Sequence, residues 1–116
     1  RHNFARLVDS GAATILQPDV TVCGGITEWL KIANYAAAYD VQIAPHYNWN
    51  IHASLLGAIE NGLWVEYFYR DMDVKAFDDV VSDPVRPGDD GVIELPDRPG
   101  HGVPLDTDAL ETYTWT

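Results

Sequence analysis

The 116-residue chain contains a single cysteine, Cys23, and only two lysines, Lys31 and Lys75. One cysteine closes no internal disulfide, so a reducing cytoplasm is the expected compartment. No apolar run approaches the roughly 20 residues that a membrane-spanning helix needs. The polar opening Arg1-His2-Asn3 lacks the character of a secretory signal. Bases are scarce, seven against eighteen acids, and the formal net charge is −11. Such a surface repels nucleic-acid phosphates and anionic lipid, so neither is an expected partner. There is no internal repeat and no low-complexity tract, and a composition 47 % hydrophobic and 22 % charged excludes wholesale disorder.

What is present is uneven. Residues 69–116 hold twelve of the acids and four of the bases, and aspartate outnumbers glutamate thirteen to five. Adaptation to high salt and an acidic tail on an ordinary domain both account for this pattern.

Residues 1–68 alternate between strand and helix signals. Phe4, Leu7 and Val8 share a helical face, and Gly11 is placed to end that helix. A short apolar strand follows at residues 13–17 and ends at Pro18-Asp19. After the Gly24-Gly25 turn, Ile26, Trp29, Leu30, Ala33 and Ala37 recur at helical spacing. A second strand at 41–44 closes on Pro45-His46. A further helix carries Ile51, Leu55, Leu56 and Ile59, and Leu63-Trp64-Val65 then forms a third strand that delivers Glu66. Strand–helix units in series predict a parallel sheet. Three parallel strands leave open edges and an unclosed barrel, so the expectation is the C-terminal part of a larger α/β protein and a homo-oligomer. Residues 69–116 hold five of the seven prolines. Short strands are expected there at 91–95 and 103–105, in an acidic extension that packs on other parts of the protein rather than around its own core.

Asp19, His46 and Glu66 each stand where an apolar strand finishes, with 27 and 20 residues between them. In a parallel β/α barrel such positions open onto the face that carries the active site. A carboxylate beside an imidazole fixes its tautomer and favours its protonated form. A carboxyl one strand further on is placed to meet a substrate. Any one of the three alone reads better as a turn cap or a solvated strand end; their common phase is what points to a site.

The same residues carry a family resemblance. Leu16-Gln17-Pro18-Asp19-Val20, Cys23-Gly24-Gly25-Ile26-Thr27-Glu28 and Lys31-Ile32-Ala33 resemble the sixth barrel strand and following helix of the enolase superfamily, in its mandelate racemase-type branch. Ala44-Pro45-His46 is similar to the seventh strand end, and Trp64-Val65-Glu66-Tyr67 to the eighth. The run Leu95-Pro96-Asp97-Arg98-Pro99-Gly100-His101-Gly102-Val103 is similar to the branch's closing segment. Within it, the chain looks most like the acid-sugar, rhamnonate-type dehydratases. The resemblance implies an α/β fold: residues 1–68 as the sixth to eighth strands of an enolase-type (β/α) barrel, followed by a Pro/Gly-rich C-terminal extension over 69–116. It also implies a Mg²⁺-dependent lyase that takes the proton next to the carboxylate of a sugar acid and expels the 3-hydroxyl. His46 is then the acid/base, Asp19 its orienting partner and Glu66 a hydrogen-bond partner of the substrate carboxylate. The metal ligands of the family lie outside this segment, so the chain by itself is expected to be inactive. A racemase or epimerase of the same superfamily, or a non-catalytic subunit that keeps only the fold, are the alternatives.

Smaller signals remain. Tyr47 and Trp49 follow His46 and are candidates for a sugar-binding surface, or for packing. His52 reads as a helix-surface or packing residue. Cys23 reads as a small buried side chain rather than a nucleophile, and His101 as a solvated turn residue. His46 and His52 lack the i, i+4 spacing of a helical zinc pair.

Overall fold

The computed structural model describes residues 1–72, 74 and 77–113. The chain folds as two units, Arg1–Tyr67 and Phe68–Thr116.

The first unit opens with α1 (His2–Asp9). Gly11 ends it, as its position predicts. At φ 65° the residue enters the left-handed region, Gly11 N donates to Val8 O and Ala12 N to Leu7 O. These paired bonds satisfy carbonyls that the helix leaves open, in a Schellman arrangement. Val8 is buried and Phe4 packs on the core, but Leu7 is 41 % exposed, so the buried face is narrower than the sequence pattern indicates.

Strand β1 (Ile15–Leu16) pairs in parallel with β2 (Gln42–Ile43), and α2 (Ile26–Ala37) forms the crossover between them. Gln42 N donates to Thr14 O and Ala44 N to Leu16 O, each at 3.0 Å. Alternation puts Leu16 and Ile43 inside and Ile15 and Gln42 outside. The buried stripe of α2 is Trp29, Ile32, Ala33 and Ala36. Helical spacing locates this helix, but Ile26 is exposed, so the apolar face is rotated from the predicted one. Two alanines in the stripe let the helix approach the sheet closely. Leu55, from α3 (Trp49–Leu56), and Val20 and Val41 complete the core.

The expected third strand at Leu63–Val65 is reduced to one parallel bridge, Ile43 to Gly62. Ile43 N donates to Asn61 O and Leu63 N to Ile43 O. Asn61 also ties three elements together, its Nδ2 donating to Ala33 O and to Val41 O. This segment therefore docks on β2 at a single point, enough to carry the following residues along the strand direction.

In the second unit, the expected strands are again single antiparallel bridges, Val81 to Leu105 and Pro87 to Ile93. Prolines withdraw the N–H donors that a longer ladder requires. Asp106 caps α4 (Thr107–Thr112), its side chain accepting from Asp108 N and Ala109 N. Gly102, at φ 76°, lies so close to Pro96 that a Cβ would stand 2.5 Å from the ring. Arg98 pairs with Asp83. No helix among the described residues is long and apolar enough to cross a membrane.

Candidate active site

Both strands end in a proline and then a polar residue, Pro18-Asp19 after β1 and Pro45-His46 after β2. Parallel pairing in register brings these ends side by side. His46 Nδ1 lies 3.2 Å from Asp19 Oδ2. Asp19 is 9 % exposed and His46 59 %, so the carboxylate is anchored while the imidazole faces outward. With Nδ1 turned to Asp19, Nε2 is the ring atom available to a substrate. Beside the pair is a cavity of about 620 Å³, lined in part by Phe4, Gln17, Asp19, Val22, Cys23 and His46.

Asp19 is held by more than the histidine. Thr21 donates to its Oδ1 from both the backbone N (2.8 Å) and Oγ1 (2.7 Å). Asn48 Nδ2 reaches both carboxylate oxygens, at 3.1 and 3.2 Å. Burial pushes the carboxyl up, but the hydrogen bonds from Thr21, His46 and Asn48 together outweigh it and hold Asp19 below its ordinary value. Sequence reasoning missed Thr21 and Asn48. The available signal for Asn48 was its type: asparagine tolerates the left-handed backbone, and this one stands two residues after His46.

Glu66 joins from the third segment. Its Oε2 accepts from Tyr47 N at 2.7 Å, so the residue after His46 is bound to Glu66. Tyr47 and Asn48 have φ of 53° and 42°, a sharp turn made by two non-glycine residues. Such backbone costs about 1–3 kcal/mol per residue and persists only where its surroundings hold it. Here the Glu66 carboxylate and the Asn48–Asp19 bonds supply that hold. Tyr47 is half-buried. Trp49 is 1 % exposed, its ring edge-on to Tyr47 at 5.5 Å and 4.9 Å from Tyr67. The tryptophan thus supports the turn from within.

Of the lesser sequence signals, His52 is fully buried rather than at the helix surface, packed against Trp29 with ring centroids 6.1 Å apart. Cys23 is half-buried; burial pushes its thiol up, away from nucleophilic character. His101 is exposed, and its Nδ1 accepts from Val103 N. Among the described residues, no group of three or more His, Cys, Asp or Glu side chains could hold a metal ion. Asp19, beside the cavity, is engaged by Thr21, Asn48 and His46. The described residues do not fit a metal centre.

An imidazole backed by a buried carboxylate, at the ends of adjacent parallel strands and beside an open cavity, is an arrangement chemically suited to proton transfer. The family model described as enolase C-terminal domain-like matches residues 1–109, and the chain belongs to that family. The fold is the C-terminal part of an enolase-type barrel, of the mandelate racemase branch. A D-galactonate dehydratase from Ralstonia nicotianae is 56 % identical over 46 residues, which are 40 % of this chain and 12 % of that protein. The crystal structure of L-talarate dehydratase from Polaromonas sp. JS666, complexed with Mg and L-glucarate, is 30 % identical with a TM-score of 0.79. It covers 93 % of this chain and 28 % of its own. A mandelate racemase/muconate lactonizing enzyme from Jannaschia sp. CCS1 is 31 % identical with a TM-score of 0.81, over 97 % of this chain and 29 % of its own. The chain thus spans less than a third of the length of these relatives.

Proposed function

We propose that these residues form the acid/base half of a Mg²⁺-dependent acid-sugar dehydratase, with His46 as the base. The observation that carries the reading is the His46–Asp19 contact at 3.2 Å, made by side chains from the ends of neighbouring parallel strands. Relatives named as D-galactonate and L-talarate dehydratases support the substrate class.

In this reading His46 Nε2 takes the proton from the carbon next to the substrate carboxylate, and the C–H electron pair passes into an enediolate. Asp19 stabilises the imidazolium so formed and fixes the ring through Nδ1. Glu66 hydrogen-bonds a substrate carboxylate oxygen as negative charge gathers there. The enediolate then expels the 3-hydroxyl, the C3–O bond breaking with its electron pair. His46 returns its proton to the leaving oxygen. Water departs, and the resulting enol tautomerises to a 2-keto-3-deoxy acid. Tyr47 meets the sugar in this reading, and Trp49 acts through Tyr47. The Mg²⁺ of this proposal rests on the L-talarate dehydratase structure, determined with Mg; its ligands lie outside the described residues, and no step above is routed through it.

The test is turnover by the full-length protein that carries this chain, with D-galactonate, L-talarate and L-glucarate in the presence of Mg²⁺. The wild type is expected to release a 2-keto-3-deoxy acid, and His46→Asn to lose about 10²–10⁴-fold in kcat, the usual weight of a positioned acid/base. Undiminished turnover by the variant would remove His46 from the role. Inversion at C2 without loss of water would convert the reading to a racemase.

A further inference from the structure

His52 has no part in the proton transfers above, yet it is fully buried beside the site. Its two ring nitrogens meet two different loops. Val20 N donates to Nε2 at 3.0 Å, and Val20 follows Asp19. On the other side Nδ1 lies 2.6 Å from Tyr47 O, and Tyr47 follows His46. A backbone N–H only donates and a carbonyl only accepts, so the two contacts permit one tautomer, with the proton on Nδ1 and the lone pair on Nε2. Trp29 stacks on the ring at an interplanar angle of 27°. The same Trp29 donates from Nε1 to Pro18 O, immediately before Asp19.

The loops joined in this way are those that carry the dyad. The carbonyl held by His52 belongs to the peptide between Tyr47 and Asn48, the two residues in left-handed backbone. That turn decides where His46 leaves β2, and where Asn48 meets Asp19. We propose that His52 is a positioning residue for the dyad: as the Nδ1–H tautomer it ties the backbone beside Asp19 to the backbone beside His46 and so sets their approach. The proposal rests on the assignment of His46 as the base. Burial favours the neutral ring that this role needs, pushing the pKa of His52 down.

The experiment uses the full-length protein with D-galactonate, L-talarate or L-glucarate and Mg²⁺, taking the acid that is turned over. His52→Phe keeps bulk but removes the hydrogen bonds to Val20 N–H and Tyr47 C=O. His52→Asn can still donate near the Nδ1 position, and His52→Gln can still accept near Nε2. His52→Phe is expected to lower kcat by about 10–100-fold, the usual weight of an outer-shell orienting group, with KM little changed. His52→Asn and His52→Gln should recover part of the loss. Melting curves identify any variant that does not fold, and if His52→Phe is one, the two amide variants carry the comparison. Long-range ¹H–¹⁵N spectra of the wild type at neutral pH should show His52 as the Nδ1–H tautomer. An Nε2–H signature, folded amide variants with unchanged kcat, or a loss confined to KM would each overturn the positioning role. His46→Asn is run alongside: full activity there, or no turnover of any acid by the wild type, overturns the base assignment, whatever His52 does.

Discussion

Asp19 shows how much of the site depends on single side chains. It is buried, it meets four donor groups, and the sum of those bonds outweighs the cost of burial. Asn48→Asp would replace a donor by a second carboxylate against it. Like charges at that range push a carboxyl pKa up, so the variant is expected to lose at least about tenfold in kcat, the low end for an outer-shell partner. Asn48→Gly also loses the donor, but it relieves the left-handed backbone. It should lose activity while its melting temperature holds or rises, and steady-state kinetics beside melting curves read both outcomes. The folded protein also holds two groups whose titration acts in one direction. Asp19 lies below its ordinary value, so its contribution is present above the unfolded value of about 3.9 and is lost as pH falls through the folded one. His52 is a base held neutral, and its folded value lies below about 6.5. Its contribution is likewise full above that value and is lost on acidification, with Asp19 and His46 the titratable groups that face it. Urea midpoints should therefore fall as pH drops from 7.5 to 5.5, and His52→Gln, which cannot titrate, should flatten that fall. Equal slopes for the two proteins would contradict the buried neutral histidine.

The helices illustrate what local pattern decides and what it leaves to packing. At α1 the stop signal was legible because it is a backbone requirement: Gly11 stands at φ 65°, with nothing within 4 Å of where a Cβ would lie. Gly11→Ala thus isolates conformational strain from steric contact. It should destabilise by about 1 kcal/mol, measured by urea denaturation, and a null result would mean that the helix end adapts. At α2, three- and four-residue spacing located the helix, but Ile32 and Ala36 rather than Ile26 and Ala37 share the buried stripe with Trp29 and Ala33. Periodicity reports the period; the phase is set by what the helix packs against. The strands contracted for a related reason. Apolar runs at 13–17 and 41–44 end as two-residue strands with a few flanking bonds, because a ladder extends only where a partner strand supplies donors and acceptors. Leu63–Val65 forms no ladder on that account, and the one bridge to β2 falls just before it, at Gly62.

Across the chain, the dyad could be read because its logic is topological: strand ends in a parallel sheet share a face, so Asp19 and His46 meet although 27 residues separate them. Glu66 was legible by the same rule, but its partner, Tyr47 N, was not. His52 escaped because its partners are backbone groups on two loops, Val20 N and Tyr47 O, and no spacing in the sequence encodes a contact of that kind. Charge is the remaining property of the whole chain that the site does not use. With eighteen acids against seven bases, and twelve of those acids in residues 69–116, carboxylates repel one another in any compact state. Added salt shortens the range of that repulsion from about 30 Å at 0.01 M to about 3 Å at 1 M. Stability should accordingly rise between dilute buffer and molar sodium chloride. Screening also weakens attractive pairs such as Arg1–Glu28 and Lys31–Glu28, but these are surface contacts of small worth. Urea denaturation of the full-length protein at the two salt concentrations reads the balance. A higher midpoint in molar salt supports a surface tuned to high ionic strength, whereas equal midpoints would leave the acidic segment as ordinary solvated charge.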